Sequence, residues 1–82
     1  MPKSKAKSLI LHAKRRASER YGLALSNDDL DKIVRLIQNH GAKFIRRQSG
    51  MITLWEVSFM EKKLQVVYDK QRSQVVTFLP PE

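Results

Sequence analysis

His12, Arg16 and Arg20 fall four residues apart in the run from Leu9 to Gly22. On a helix each step of four turns the face by about 40°, so the three side chains form one slanting row. An imidazole trades protons near neutral pH, and a guanidinium is a permanently charged fork that fits phosphate oxygens. Such a row is what a phosphate-seeking surface needs. Metal-independent cleavage of RNA requires a base for the 2′-hydroxyl, an acid for the leaving 5′-oxygen and cations for the phosphorane. His12 is the well-placed candidate for base or acid, and Arg16, Arg20 and Arg47 are candidates for the cations. The plainer reading of His12 is a satisfied polar residue at a helix–sheet seam.

The charge around this row is lopsided. The chain carries a formal net charge of +8 over 82 residues. Residues 1–20 hold seven Lys/Arg against Glu19 alone, whereas residues 21–41 hold Lys32 and Arg35 against three aspartates. Residues 42–82 hold seven Lys/Arg against four carboxylates. Concentrated positive charge points to an anionic partner, with nucleic acid the default; a solubilising excess is the bland alternative. Lys3, Lys5, Lys7, Lys14, Arg15, Arg46, Lys70 and Arg72 are the candidate backbone contacts, giving affinity that falls with salt. Cysteine is absent, which excludes a disulfide framework or thiolate metal site and fits a reducing cytoplasm. No apolar run approaches the roughly 18 residues of a membrane span, so no membrane partner is expected. Two separated histidines and dispersed carboxylates give no metal-ligand spacing, and three isolated glycines give no phosphate loop. No cofactor is expected.

The elements that must position the row follow from periodicity. Residues 1–7 alternate lysine with small residues and read as a flexible basic arm, leaving 8–82 as a single domain. A first helix is expected from about Ser8 to Tyr21, with Leu9, Ile10, Ala13, Ala17 and Tyr21 as its buried stripe and Gly22 as its stop. The row starts beside that stripe and drifts onto it, which leaves Arg20 too close to the core for a merely decorative charge. Ser26 caps a second helix with Asp29 as its capping-box partner, Leu30, Ile33, Val34 and Ile37 facing inward and Gly41 as the left-handed stop. His40 reads as a helix-terminal residue facing the last carbonyls.

From Ala42 the period becomes two. Strands are expected at Lys43–Arg47, Ile52–Phe59, Leu64–Tyr68 and Gln74–Leu79, separated by Gln48–Gly50, Glu61–Lys63 and Asp69–Ser73. Trp55 shares a face with Thr53, Val57 and Phe59 and reads as core, although an exposed indole could stack a base; Tyr68 carries the same ambiguity. Arg46 and Arg47 point to opposite faces, so at most one serves a common site. The fold class is α+β, with two N-terminal helices packed on a four-stranded antiparallel meander.

The pattern His12-x-x-x-Arg16-x-x-x-Arg20 closed by Gly22, an acid-capped second helix, and a meander ending Val66-Val-Tyr-Asp69 and Val75-Val-Thr-Phe-Leu-Pro80 resembles small bacterial and phage domains of the barnase/EndoU/colicin/RelE-like (BECR) ribonuclease and toxin fold. The resemblance covers roughly residues 8–80. It implies metal-independent RNA cleavage, with His12, Arg16 and Arg20 matching the helix histidine and its two arginines. Thr77 matches the threonine of the closing strand, and Arg46 or Arg47 matches a basic residue of the first strand. The later strands lack a second histidine or a lysine within them. The expected function is therefore a nucleic-acid-directed basic domain, a ribonuclease or toxin-like effector with a possible cognate protein inhibitor. The alternative is a non-catalytic nucleic-acid-binding or host-protein-inhibiting regulator on the same fold.

Overall fold

The computed structural model describes residues 4–81, with side chains from residue 10 onward. Lys3 lies outside the described residues, as do the side chains of Lys5 and Lys7. Two helices, α1 (Ser4–Tyr21) and α2 (Asn27–Gln38), precede strands β1 (Lys43–Ser49), β2 (Ile52–Phe59), β3 (Lys62–Asp69) and β4 (Gln74–Leu79). The strands form one antiparallel sheet in the order β1-β2-β3-β4. This is the expected α+β arrangement. Among the described residues no helix is long and apolar enough to cross a membrane.

The helix α1 begins at Ser4, four residues before the expected start at about Ser8. Lysine and alanine are good helix formers, and nothing between Ser4 and Tyr21 breaks the ladder. Gly22 stops the helix at φ 68, with its N–H on the Ser18 carbonyl. The helix α2 starts as its sequence demands. The Ser26 hydroxyl accepts from the Asp29 N–H at 3.1 Å, and the Asp29 carboxylate accepts from the Ser26 N–H at 2.9 Å. Its end differs from expectation: His40, not Gly41, adopts the left-handed conformation, at φ 63. Gly41 instead sends its N–H to the Leu36 carbonyl at 2.7 Å. A Cβ on Gly41 would lie 3.0 Å from the Leu36 side chain, so close approach rather than φ calls for glycine there.

Both helices cover one face of the sheet. Ala13, Ala17 and Tyr21 of α1 and Leu30, Ile33 and Ile37 of α2 pack with Val57, Leu64, Val66, Tyr68, Val75 and Phe78. Two alanines let α1 approach closely along β4, its main sheet neighbour. The Tyr21 hydroxyl then closes the far end. It donates to the Leu79 carbonyl at 2.6 Å and accepts from the Gln65 N–H at 3.0 Å, tying β3 and β4 together. Burial pushes the Tyr21 phenol pKa up, against the opposing pull of the Gln65 N–H and the nearby Arg20 charge.

Turn chemistry shifts the remaining boundaries. β1 extends through Ser49 because the β1–β2 turn uses only Gly50 and Met51. β3 begins at Lys62 because Met60 and Glu61 make a two-residue turn, both at positive φ. Between β3 and β4 the Asp69 carboxylate accepts from the N–H groups of Gln71 and Arg72 at 2.9 and 3.2 Å.

Candidate nucleic-acid interface

Residues paired across antiparallel strands point to the same side, so the register assigns every strand residue to a face. The pairs Trp55↔Val66↔Phe78 and Thr53↔Tyr68↔Val75 belong to the helix-covered face. The intervening row Arg46↔Leu54↔Val67↔Thr77 crosses all four strands on the opposite face, which no helix covers. Leu54 and Val67 are nonetheless buried, and they stand outside the helix-packed core. The next row on that face, Lys43↔Glu56↔Gln65↔Leu79, is mostly polar.

This settles which of the two strand arginines faces Thr77. An irregularity between Phe44 and Arg46 shifts the β1 register, and Arg46 then pairs with Leu54 while Arg47 pairs with Thr53. Arg46 shares the open face with Thr77. Arg47, expected among the catalytic cations, lies on the helix-covered side at the edge farthest from β4. Simple alternation could separate the two arginines but not choose between them; the bulge makes that choice. Four strands at about 4.8 Å spacing put Arg46 roughly 14 Å from Thr77. The two therefore cannot grip one phosphate, although both can touch one extended strand of nucleic acid.

The row on α1 has its own geometry. Ile10 meets Asn27, Leu30 and Val34 of α2 around one concavity, so the Ile10 side of α1 faces α2. At about 100° per residue, His12, Arg16 and Arg20 sit on the flank turned away from α2, His12 farthest from the buried stripe and Arg20 nearest to it. His12 is exposed, and Arg16 and Arg20 are partly so. Consecutive members are about 6 Å apart along the axis, giving a row some 12 Å long. Arg16 is bound to Glu19 at 3.1 Å, an exposed pair worth little and easily exchanged for phosphate. Among the described residues no carboxylate pairs with His12 or Arg20. Lys14 and Arg15 lie elsewhere around the same helix, off the row.

None of the candidate catalytic residues lines either of two concavities among the described residues. A concavity of about 470 Å³ between α1, α2 and the β3–β4 loop is lined by Ile10, Asp31, Arg72 and Gln74 among others, and includes none of the candidate catalytic residues. A second, of about 380 Å³, lies between the end of α2 and the helix-covered sheet face. Its walls are Ile37, Gln38, His40, Trp55, Tyr68, Lys70 and Ser73. His12, Arg16 and Arg20 instead lie along α1 above the helix-covered face, whereas Thr77 belongs to the opposite face of the sheet. Of the remaining cations, Lys70 reaches the second concavity, and Arg72 sits 3.9 Å from Asp69.

That second group of residues escaped the sequence reading. Gln38, His40, Trp55, Tyr68 and Lys70 span three elements and two loops, and no local spacing announces that they meet. The local hint was that Trp55 and Tyr68 each read either as core or as a ring able to stack a base. Among the described residues no three His, Cys, Asp or Glu side chains converge as a metal site would require. Comparison of the chain with family models, with curated proteins and with solved structures finds no match.

Proposed function

We propose that the chain is a nucleic-acid-directed domain of BECR type that acts in the cytoplasm on RNA phosphodiesters without a metal. The observation that carries the reading is the flank of α1 described above. An imidazole and two guanidiniums line up along α1, the helix that packs on β4, and β4 presents Thr77 on the sheet's other face. Arg16 and Arg20 would neutralise the reacting phosphate, whereas Thr77, on the other face of the sheet, would meet the strand elsewhere along its path. Arg46, about 14 Å away, would hold a later phosphate of the same strand rather than the reacting one. His12 would take the 2′-hydroxyl proton and return it to the leaving oxygen in sequence, since the row holds no second acid–base group.

A second reading is binding without chemistry. It is favoured by the exposure of His12, where water competes with every charge the site could aim at a phosphorane. On that reading the target is RNA, or an acidic protein surface of the host or of a cognate inhibitor.

Incubation with total RNA in EDTA separates the two. Cleavage by the wild-type chain that disappears in His12→Ala, while RNA retention persists, upholds the catalytic reading. Retention without cleavage upholds the binding reading. Replacing Arg16 and Arg20 with alanine should then reduce the log–log salt slope by about 0.7 per removed contact on single strands. A wild-type chain that neither cleaves nor retains RNA at low salt sinks the catalytic reading and leaves only an acidic protein surface as target.

A further inference from the structure

The concavity at the end of α2 joins residues packed in or against the core, Ile37, Trp55 and Tyr68, to the polar side chains of Gln38, His40 and Lys70. Trp55 forms one wall, half-buried, with its indole orientation locked from two sides. Its Nε1–H donates to the Thr53 hydroxyl at 2.8 Å, and that hydroxyl donates to the Tyr68 carbonyl at 3.3 Å. Phe44 meets the indole edge-on, with centroids 5.2 Å apart and planes at 73°. A ring held this way before a ligand arrives loses little freedom when something stacks on it.

The polar groups around the indole are equally specific. The Tyr68 hydroxyl accepts from Gln38 Nε2 at 3.1 Å, which leaves its own proton to donate. Lys70 and His40 supply cationic or proton-donating groups, and no carboxylate lines the walls. Arg47 stands on the same sheet face, in register with Thr53 and through it with Tyr68. His40 occupies its place in a left-handed backbone that glycine would adopt more easily. The volume of about 380 Å³ is at the small end of ligand sites, enough for one ring system and its substituents.

A rigid flat face, one unspent phenolic proton and a cationic rim describe complementarity to a flat ring carrying an anion. We propose that this concavity binds a single nucleotide, with its base on the Trp55 indole and its phosphate toward Lys70 and His40. The nucleotide is either free or an unpaired residue of an RNA strand. The proposal uses none of the α1 row and stands whether or not that row handles phosphate.

Trp55 is the only tryptophan of the chain, so its fluorescence reports on this site directly. The full chain is titrated with AMP, GMP, CMP and UMP, the matching nucleosides, inorganic phosphate and a short single-stranded oligoribonucleotide. At least one mononucleotide should quench the emission to saturation, with its nucleoside about tenfold weaker and phosphate alone without effect. An oligoribonucleotide at least tenfold tighter than its mononucleotide identifies RNA as the source; equal affinity identifies the free nucleotide. Lys70→Ala should weaken binding about tenfold. His40→Gly should weaken it too while raising the melting temperature, since glycine relieves the left-handed backbone. The double replacement of Arg16 and Arg20 by alanine should leave mononucleotide quenching intact, which keeps this test apart from that of the α1 row. Absent or unsaturable quenching by every nucleotide overturns the proposal, as does quenching unchanged by both Lys70→Ala and His40→Gly.

Discussion

β4 and β1 are the two edge strands of one sheet, yet they are finished in opposite ways. β4 is backed along its length by α1, and its Val75 and Phe78 are among the most buried residues of the chain. All seven residues of β1 are exposed, including Phe44 and Ile45. Two register irregularities bend β1, and Lys43, Arg46 and Arg47 charge it. Bulges and like charges are the usual defences of an unpaired edge against pairing with another chain. The comparison assigns different duties to the edges. The β4 side carries the stability, and the α1 row beside it inherits a firm support. The β1 side contributes little to the core, and its cations stay free to meet solvent or a ligand.

The largest test of this asymmetry is a pair of phenylalanines. Phe78 is fully buried against Tyr21, with ring centroids 6.5 Å apart, whereas Phe44 is about half exposed. Phe78→Ala should cost about 3–5 kcal/mol in urea unfolding, and Phe44→Ala about 1 kcal/mol from its contact with Trp55. Comparable losses from the two would dissolve the distinction.

Tyr21→Phe comes next. It strands the Gln65 N–H and the Leu79 carbonyl together, for a loss of about 1–3 kcal/mol. Hydrogen exchange should show Gln65 losing protection while β1 amides are unaffected. If β1 exchange rises equally, the two edges are coupled more tightly than their packing indicates.

Smaller effects sharpen the picture away from the edges. Met60 and Glu61 turn β2 into β3 at φ 52 and 62, where asparagine and glycine sit more comfortably. Met60→Asn combined with Glu61→Gly should stabilise the chain by about 1 kcal/mol, read as a higher unfolding midpoint. The smallest effect concerns the α2 cap. The Ser26 backbone N–H holds the Asp29 carboxylate below its ordinary pKa, with the Ser26 hydroxyl and Lys32 adding to the pull. Its contribution is therefore complete above the ordinary aspartate range and is lost as pH falls through the lowered folded value. Asp29→Asn should flatten the acid limb of the stability profile, and a profile unchanged by it would remove the cap from the account.

Much of the fold was legible because local chemistry agreed with tertiary need. Ser26 and Asp29 announced α2, and alternation from Ile52 to Phe59 and from Gln74 to Leu79 marked β2 and β4 to the residue. The misreadings share a cause. The early start of α1 was hidden because alternating lysine and small residues suit a helix as well as a loose arm. The left-handed His40 was hidden because its neighbour Gly41 was the cheaper candidate, and only the approach of Leu36 shows why the roles are exchanged.

The candidate site divides along the same line. Residue types and four-residue spacing alone determined that His12, Arg16 and Arg20 share a flank, because helical periodicity is a local property. The sequence likewise determined the α+β class and an excess of positive charge. Only the tertiary structure decided that Arg46 rather than Arg47 faces Thr77, since a bulge changes side-chain direction without any mark in composition. It alone brought His40, Trp55, Tyr68 and Lys70 around one concavity. Such meetings depend on strand register and helix placement, which are set by how the whole core packs rather than by any neighbouring residues.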